Sequence, residues 1–351
     1  MSRIERLAER LGQPLLVTKG ANVRYLTGLD SSNAALLVER SGEATLYTDF
    51  RYVNTARELG GTTVVETSRY VIRSLAGLLS GRSIAIEADH LSVSAFETLR
   101  GGGIRAEHTT GLVEALRAVK SDEELAALRR AAALSDQVFE DLSHEPFVGR
   151  TEAELAWWIE RRFRELGASA SSFEPMVAFG EMGARPHGHP RADAAVPGGT
   201  LVVVDAGCVV DGYCSDCTRT FLTGGAPDAE ARRLLDLYEL CARAQLDGLA
   251  AVRPGAHGRD VDAASRVAVE AAGLGDAYGH GLGHGVGMEI HEAPVLRPES
   301  EDTLEVGNVV TVEPGIYLPG DVGVRIEDLV VVTADGCERL TTFTKEPLTV
   351  G

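Results

Sequence analysis

The stretch GHGLGHGVGMEIHE, residues 279–292, places three histidines and five glycines in fourteen positions. Glycine brings no side chain to a core, so packing does not explain the pattern. It suits a backbone that must come close to something and turn sharply around His284, with imidazoles ready to bind or polarise it. Four carboxylates stand at comparable places. Asp205 closes the apolar run LVVVD, and Asp216 follows beyond the turn Val-Asp-Gly-Tyr. Glu313 ends VVTVE just before Pro314-Gly315, and Glu327 lies in VRIED, expected inside a strand. If the segments around Asp205 and Asp216 form a hairpin, both carboxylates can face one side. Taken singly, each acid reads as a strand-end residue facing water. Gathered in one place, the four would repel one another and resist burial. Two divalent cations about 3.5–4 Å apart cancel that repulsion, with two carboxylates bridging them and His284 as the fifth donor.

The elements that would position these groups fall into two sets. Up to about residue 118, short strand-like runs (15–17, 34–38, 44–47, 63–65 and 84–86) alternate with helical stretches such as 52–59 and 70–79. This is a mixed α/β unit without a cluster of metal-type ligands. Beyond it, two capping boxes, Ser121-Asp-Glu-Glu124 and Thr151-Glu-Ala-Glu154, open helices, and Gly167 ends the second. Further helices are expected over 228–249 and 260–272, with strands over 201–205, 218–222, 309–312 and 324–332. Helix pairs followed by hairpins suggest an α+β domain with an antiparallel sheet. That order occurs twice, around 121–222 and 228–332, which hints at a duplicated half-domain.

Composition narrows the function. The 351 residues carry a formal net charge of −18 and are 44% hydrophobic. Such a balance argues against a nucleic-acid or anionic-membrane surface, which needs clustered Lys and Arg. No run approaches the ~20 apolar residues of a membrane span, and the N-terminal MSRIERLAERLGQPLLV lacks the basic-then-apolar pattern of a signal peptide. Five cysteines suit a reducing cytoplasm, and the Cys214–Cys217 spacing, without a second such pair, does not make a zinc or redox site.

These residues carry a resemblance. DAGCVVDGYCSDCTRTF at 205–221, the histidine stretch, VEPGIYLPG at 312–320 and GVRIED at 323–328 resemble the motifs of the pita-bread metallopeptidases, family M24. That family includes aminopeptidase P, prolidase and methionine aminopeptidase. NVRYLTGLDSSNAALLV and TDFRY are similar to the non-catalytic N-terminal domain of the first two. The resemblance implies an α/β N-terminal domain, residues 1–118. It also implies an α+β pita-bread catalytic domain, residues 119–351, with a curved antiparallel sheet and helix pairs. Asp205 would hold one ion through both oxygens, Asp216 and Glu327 would bridge the two, and His284 and Glu313 would complete the second shell. Carboxylate-rich shells with one imidazole favour Mn2+ over Co2+ or Zn2+.

The resemblance also assigns substrate contacts. His291 would touch the substrate carbonyl, His187 would stand near the scissile bond, and His280 would line a proline pocket. Arg325 would fix a carboxylate ligand or close over the substrate. His90, His108, His144, His189 and His257 read as surface residues. The expected chemistry is attack of water, acidified by the two ions, on a peptide carbonyl. Glu313 would carry the proton to the leaving nitrogen, and His291 would stabilise the oxyanion. The implied substrate is a peptide with proline in second position. In many prolidase-like chains an arginine follows the proline of the HExP segment. Here Val295 stands in that place and Arg297 comes two residues later. That departure favours aminopeptidase P, with Xaa-Pro dipeptidase (prolidase) as the alternative and a binding protein retaining the fold as a more distant one. A cytoplasmic homo-oligomer, dimer or larger, is expected.

Overall fold

The computed structural model describes residues 1–351, which form two compact units, Met1–Arg117 and Ala118–Gly351. The first is built on a six-stranded sheet. Taking the strands Leu15–Val17, Ala34–Val38, Ala44–Asp49, Thr63–Thr67, Ser83–Glu87 and Arg105–Thr109 as first to sixth, their spatial order is 4-3-2-1-5-6. Only the second runs antiparallel to its neighbours. Leu16, Leu37, Leu75, Ile84, Ile86 and Leu99 fill a core between sheet and helices. The sequence reading did not single out helices Gly20–Thr27 and Val93–Gly101 or strand Arg105–Thr109. The second of these helices has a legible start, because the Ser92 hydroxyl accepts from the Ala95 N–H.

The second unit begins with helix Asp122–Ser143, opened by the Ser121/Glu124 capping box. Leu128, Ala132, Val138 and Phe139 form its buried face. Helix Glu152–Glu165 starts with the Thr151/Glu154 box. The chain reverses shortly after it at Gly167, whose φ of +97° lies in the left-handed region. These helices accompany an antiparallel trio, Met176–Phe179, Leu201–Ala206 and Cys217–Thr223, to which Thr349–Val350 adds a parallel edge. Helices Asp228–Ala251 and Gly258–Ala271 follow. They precede a five-stranded antiparallel sheet of Gly283–Gly285, Glu292–Leu296, Val309–Val312, Asp328–Thr333 and Gly336–Arg339. The same order of helix pair and sheet thus recurs. No helix is long and apolar enough to cross a membrane.

One expectation is corrected. The single strand expected over 324–332 is broken in two. Gly323–Arg325 pairs with Gly315–Tyr317, and Asp328–Thr333 pairs with Val309–Val312. Between them the Ile326 amide donates to the Pro314 carbonyl and the Glu327 amide to the Thr218 carbonyl. Glu327 therefore sits at a strand break, held by strand Cys217–Thr223, and not within a ladder.

Candidate active site

Strands Leu201–Ala206 and Cys217–Thr223 pair antiparallel, with Asp205 opposite Thr218. The intervening chain folds into a small hairpin, 208–214, turning at Asp211 and Gly212, both with positive φ. Asp216 thereby returns to the side of Asp205. Ligand atoms of Asp205, Asp216 and Glu327 all lie within 4.8 Å of one another, the one such group of metal-type residues in the chain. His284 joins them from the second sheet, its Nε2 3.6 Å from Asp216 and 3.3 Å from Glu313. All five expected ligands are thus brought together.

The structure fits these groups to cations. Asp205 Oδ1 and Glu327 Oε1 are buried without a hydrogen-bond partner, a costly state for carboxylate oxygens unless a cation faces them. Burial, reinforced by the charges of neighbouring acids, pushes the Asp216 and Glu327 carboxyls well above the usual range. The Asp205 carboxyl is raised by burial against the counter-effect of Arg325, whose Nη2 donates to Oδ2 at 2.6 Å. Burial would raise Glu313 too, but the hydrogen bond and charge of His284 overrule it and bring it to about 2. His284 Nδ1 faces the Gly285 carbonyl at 3.1 Å. A carbonyl only accepts, so Nδ1 carries hydrogen and Nε2 is left to face the carboxylates, the orientation a metal-binding imidazole needs.

Two threonines not singled out from sequence brace the cluster. The Thr311 hydroxyl accepts from the His284 amide and donates to Glu313 Oε1, both at 3.0 Å. The Thr218 hydroxyl donates to Glu327 Oε2 at 2.8 Å and accepts from Arg325 Nε at 3.1 Å. The glycines of residues 281–287 bear out the expected close approach but not the sharp turn. None has positive φ, so they do not bend the chain sharply around His284. At Gly283 an added Cβ would stand 2.1 Å from the Thr311 carbonyl oxygen. The missing side chain is what lets two backbones lie against each other beneath the cluster.

Above the cluster lies a cavity of about 450 Å³. Asp205, Asp216, His284 and Glu313 form its charged wall, and His187, His280, His291 and Arg325 also line it. Glu327, 1% exposed, lies behind this wall and does not line it. Phe173, Ile290 and Val295 supply an apolar side. His280 Nδ1 faces the Gly281 carbonyl at 2.7 Å, which leaves Nε2 to accept from the Tyr317 hydroxyl at 2.9 Å. That hydroxyl in turn accepts from Arg325 Nη1 at 2.9 Å. Burial lowers the His280 pKa, in keeping with a neutral ring. The rings of His284 and His291 meet edge to face, 4.3 Å between centroids. Of the histidines assigned to the surface, His90, His108, His144 and His189 are exposed. His257 is half-buried, its Nδ1 3.1 Å from the Thr303 hydroxyl. Cys214 and Cys217 are free and buried, each donating to a different backbone carbonyl.

The catalytic-type unit and the sheet unit before it both have known relatives. Residues 126–334 match metallopeptidase family M24, and residues 3–119 match the creatinase/prolidase N-terminal domain. The chain belongs to metallopeptidase family M24. It is 36% identical over 354 residues to the uncharacterized peptidase YqhT of Bacillus subtilis, covering 98% of this chain and 99% of that one. An Xaa-Pro dipeptidase from Bacillus anthracis superposes with a TM-score of 0.92 at 36% identity, covering 99% of each chain. An X-Pro aminopeptidase from Thermotoga maritima gives a TM-score of 0.88 at 29% identity, covering 98% of this chain and 100% of that one. The match to these relatives therefore covers both the N-terminal unit and the pita-bread unit.

Proposed function

We propose that this chain is a dinuclear metal-dependent exopeptidase that cleaves the bond between a first residue and a following proline, with the Xaa-Pro dipeptide as its preferred substrate. The sequence reading placed aminopeptidase P first. Two considerations move the weight to the dipeptidase. The 36% identical structure over 99% of both chains is an Xaa-Pro dipeptidase. The observation that carries the reading is Arg297. Along strand Glu292–Leu296, side chains alternate, so Val295 and Arg297 share a face and both line the cavity while Leu296 is buried behind them. The Arg297 carbonyl accepts from the Ser300 amide, but its guanidinium makes no hydrogen bond or ion pair within the chain. It is a free cation at the rim of an acidic pocket, suited to the terminal carboxylate that a dipeptide ending in proline presents.

Asp205, Asp216, Glu327, His284 and Glu313 would hold the ions, and their oxygen-rich set suits manganese. Bound cations supply Lewis acidity, which acidifies water and polarises the scissile carbonyl. The chain's own groups do the rest. Glu313 takes a proton from the attacking water and hands it to the proline nitrogen, worth about 10²–10⁴-fold in rate. His291 donates to the carbonyl oxygen as charge develops on it. His187 stands beside the scissile bond. His280, held neutral between Gly281 and Tyr317, lines the proline pocket, and Phe173, Ile290 and Val295 line the same cavity.

Aminopeptidase P is the second reading. It draws on the exposure of Arg297, which leaves the rim open to a longer peptide. The test compares kcat/KM of the manganese-loaded chain on one Xaa-Pro dipeptide and the matching Xaa-Pro-Xaa tripeptide. A preference for the dipeptide by tenfold or more, about 1.4 kcal/mol, is expected. A tripeptide preference transfers the assignment to aminopeptidase P. Bound metal without hydrolysis of either removes the peptidase reading.

A further inference from the structure

Lys120 and Glu292 are 172 positions apart and form an ion pair at 2.8 Å, with side chains only 1% and 5% exposed. Neither belongs to the carboxylate cluster, and breaking a buried pair by removing one partner leaves the other charge uncompensated. We propose that Lys120 is a positioning residue: by anchoring Glu292 it fixes the hairpin that carries His291, and so sets where that imidazole meets the substrate carbonyl. The inference rests on the role given to His291 above.

The geometry runs through both ends of the pair. Lys120 is itself held rigidly. Its amide donates to the Gly307 carbonyl at 3.0 Å, its ammonium also donates to the Ala118 carbonyl at 3.2 Å, and Val119 bridges to Asn308. The turn at 305–308 leads directly into strand Val309–Val312, which Glu313 follows. Glu292 sits opposite Gly285 at the base of the hairpin, next to His291 and beside a register shift in the strand pair. Its carboxylate lies against Gly287, where an added Cβ would meet Oε1 at 2.2 Å. The hairpin is thus clasped around the carboxylate, and Gly287 is tied on its other side by its carbonyl, which accepts from the Cys214 amide at 2.8 Å. The buried ammonium therefore adds a side-chain tie between the turn before the strand that delivers Glu313 and the base of the hairpin that delivers His291, beside the ladder bond from the Val286 amide to the Val309 carbonyl. Without it, the ladder still holds the hairpin strands, but the Glu292 side chain beside His291 loses its ammonium anchor.

The test uses Lys120→Met, His291→Ala and the double variant in the metal-loaded enzyme. Lys120→Met is expected to lower kcat by 10–100-fold with KM within about twofold and bound metal unchanged. In the His291→Ala background the same substitution should produce no further loss in kcat, because a positioning residue acts through the group it positions. Additive losses, an unchanged kcat in Lys120→Met, or a kcat loss that tracks lost metal would overturn the proposal. Glu292→Gln serves where Lys120→Met does not fold; it keeps the shape and a neutral hydrogen bond, and the same non-additivity with His291→Ala is required of it. Should His291→Ala itself leave kcat intact, the oxyanion role falls and the anchor is judged separately. The imidazole signals of the 15N-histidine-labelled, zinc-loaded chain must then move for His291 and stay for His280 in Lys120→Met. Unmoved His291 signals reject it.

Discussion

Glu327 and Asp328 are neighbours in the chain and belong to two separate charge systems. Glu327 faces Asp205 and Asp216, whereas Asp328, fully buried, accepts from Arg219 at 2.9 Å, Gln245 at 3.1 Å and Lys345 at 2.7 Å. Arg219 also donates to the backbone carbonyls of Glu327 and Phe343. The strand break that aims Glu327 is therefore clamped from behind. Asp328→Ala strips a buried counter-charge from Arg219 and Lys345 and is expected to cost about 3–5 kcal/mol. Urea unfolding reads this directly; a loss within about 0.5 kcal/mol, typical of a surface substitution, would show that the break is held by other means.

The unpartnered oxygens of Asp205 and Glu327 give the cluster opposite behaviour with and without metal. In the metal-free chain Glu327→Gln relieves repulsion among buried acids and should raise the thermal midpoint. Manganese at a hundredfold excess over its Kd should stabilise the parent chain by about 2.7 kcal/mol and the variant far less. Scanning calorimetry of both proteins with and without Mn2+ checks the crossing. Parallel shifts in the two would place the ion elsewhere.

Arg297→Ala separates affinity from chemistry. A charge-assisted hydrogen bond is worth about 1.5–3 kcal/mol, so KM for an Xaa-Pro dipeptide should rise about tenfold or more while kcat changes little. An amidated dipeptide, lacking the terminal charge, should respond weakly to the substitution. An equal KM increase for both substrates would show that Arg297 does not read the carboxylate.

The first unit has its own pH signature. Asp49 is buried and accepts from Arg51 Nε at 2.9 Å and Nη2 at 2.7 Å. The Arg51 hydrogen bonds, aided by Asn33, hold its carboxyl well below the ordinary value near 3.9 in spite of burial. A depressed carboxyl stabilises the fold fully above its unfolded pKa, and that contribution disappears as pH falls through the folded one. The urea midpoint of the parent chain should therefore decline below about pH 4. Asp49→Asn should start lower at neutral pH and decline less over the same window. Equal slopes would mean the Arg51 pair is not formed in solution.

Much of the site was legible because its residue types are costly to bury alone. Asp205, Asp216, His284, Glu313 and Glu327 stood beside apolar runs, and the paired strands 201–206 and 217–223 followed from LVVVD, a turn and TRTFL. What stayed hidden depends on partners far along the chain. Glu327 leaves the ladder because Pro314 and Thr218 claim the local amides. Arg219 and Lys120 find their partners 109 and 172 positions away, and no local pattern announces either. The glycines were legible as a place of close approach, but what comes close stayed hidden, since the steric conflict of a Gly283 Cβ with the Thr311 carbonyl exists only once the neighbouring strand is in place.

The close approach at Gly283 has an evolutionary corollary. Where two backbones touch, no residue can be exchanged without prising strands apart, so the floor under the acids is closed to variation. Changes to what the cavity accepts are open instead at its apolar lining residues, Phe173, Ile290 and Val295. Directed libraries belong at those three positions and should leave His280, Gly283, His284 and His291 untouched.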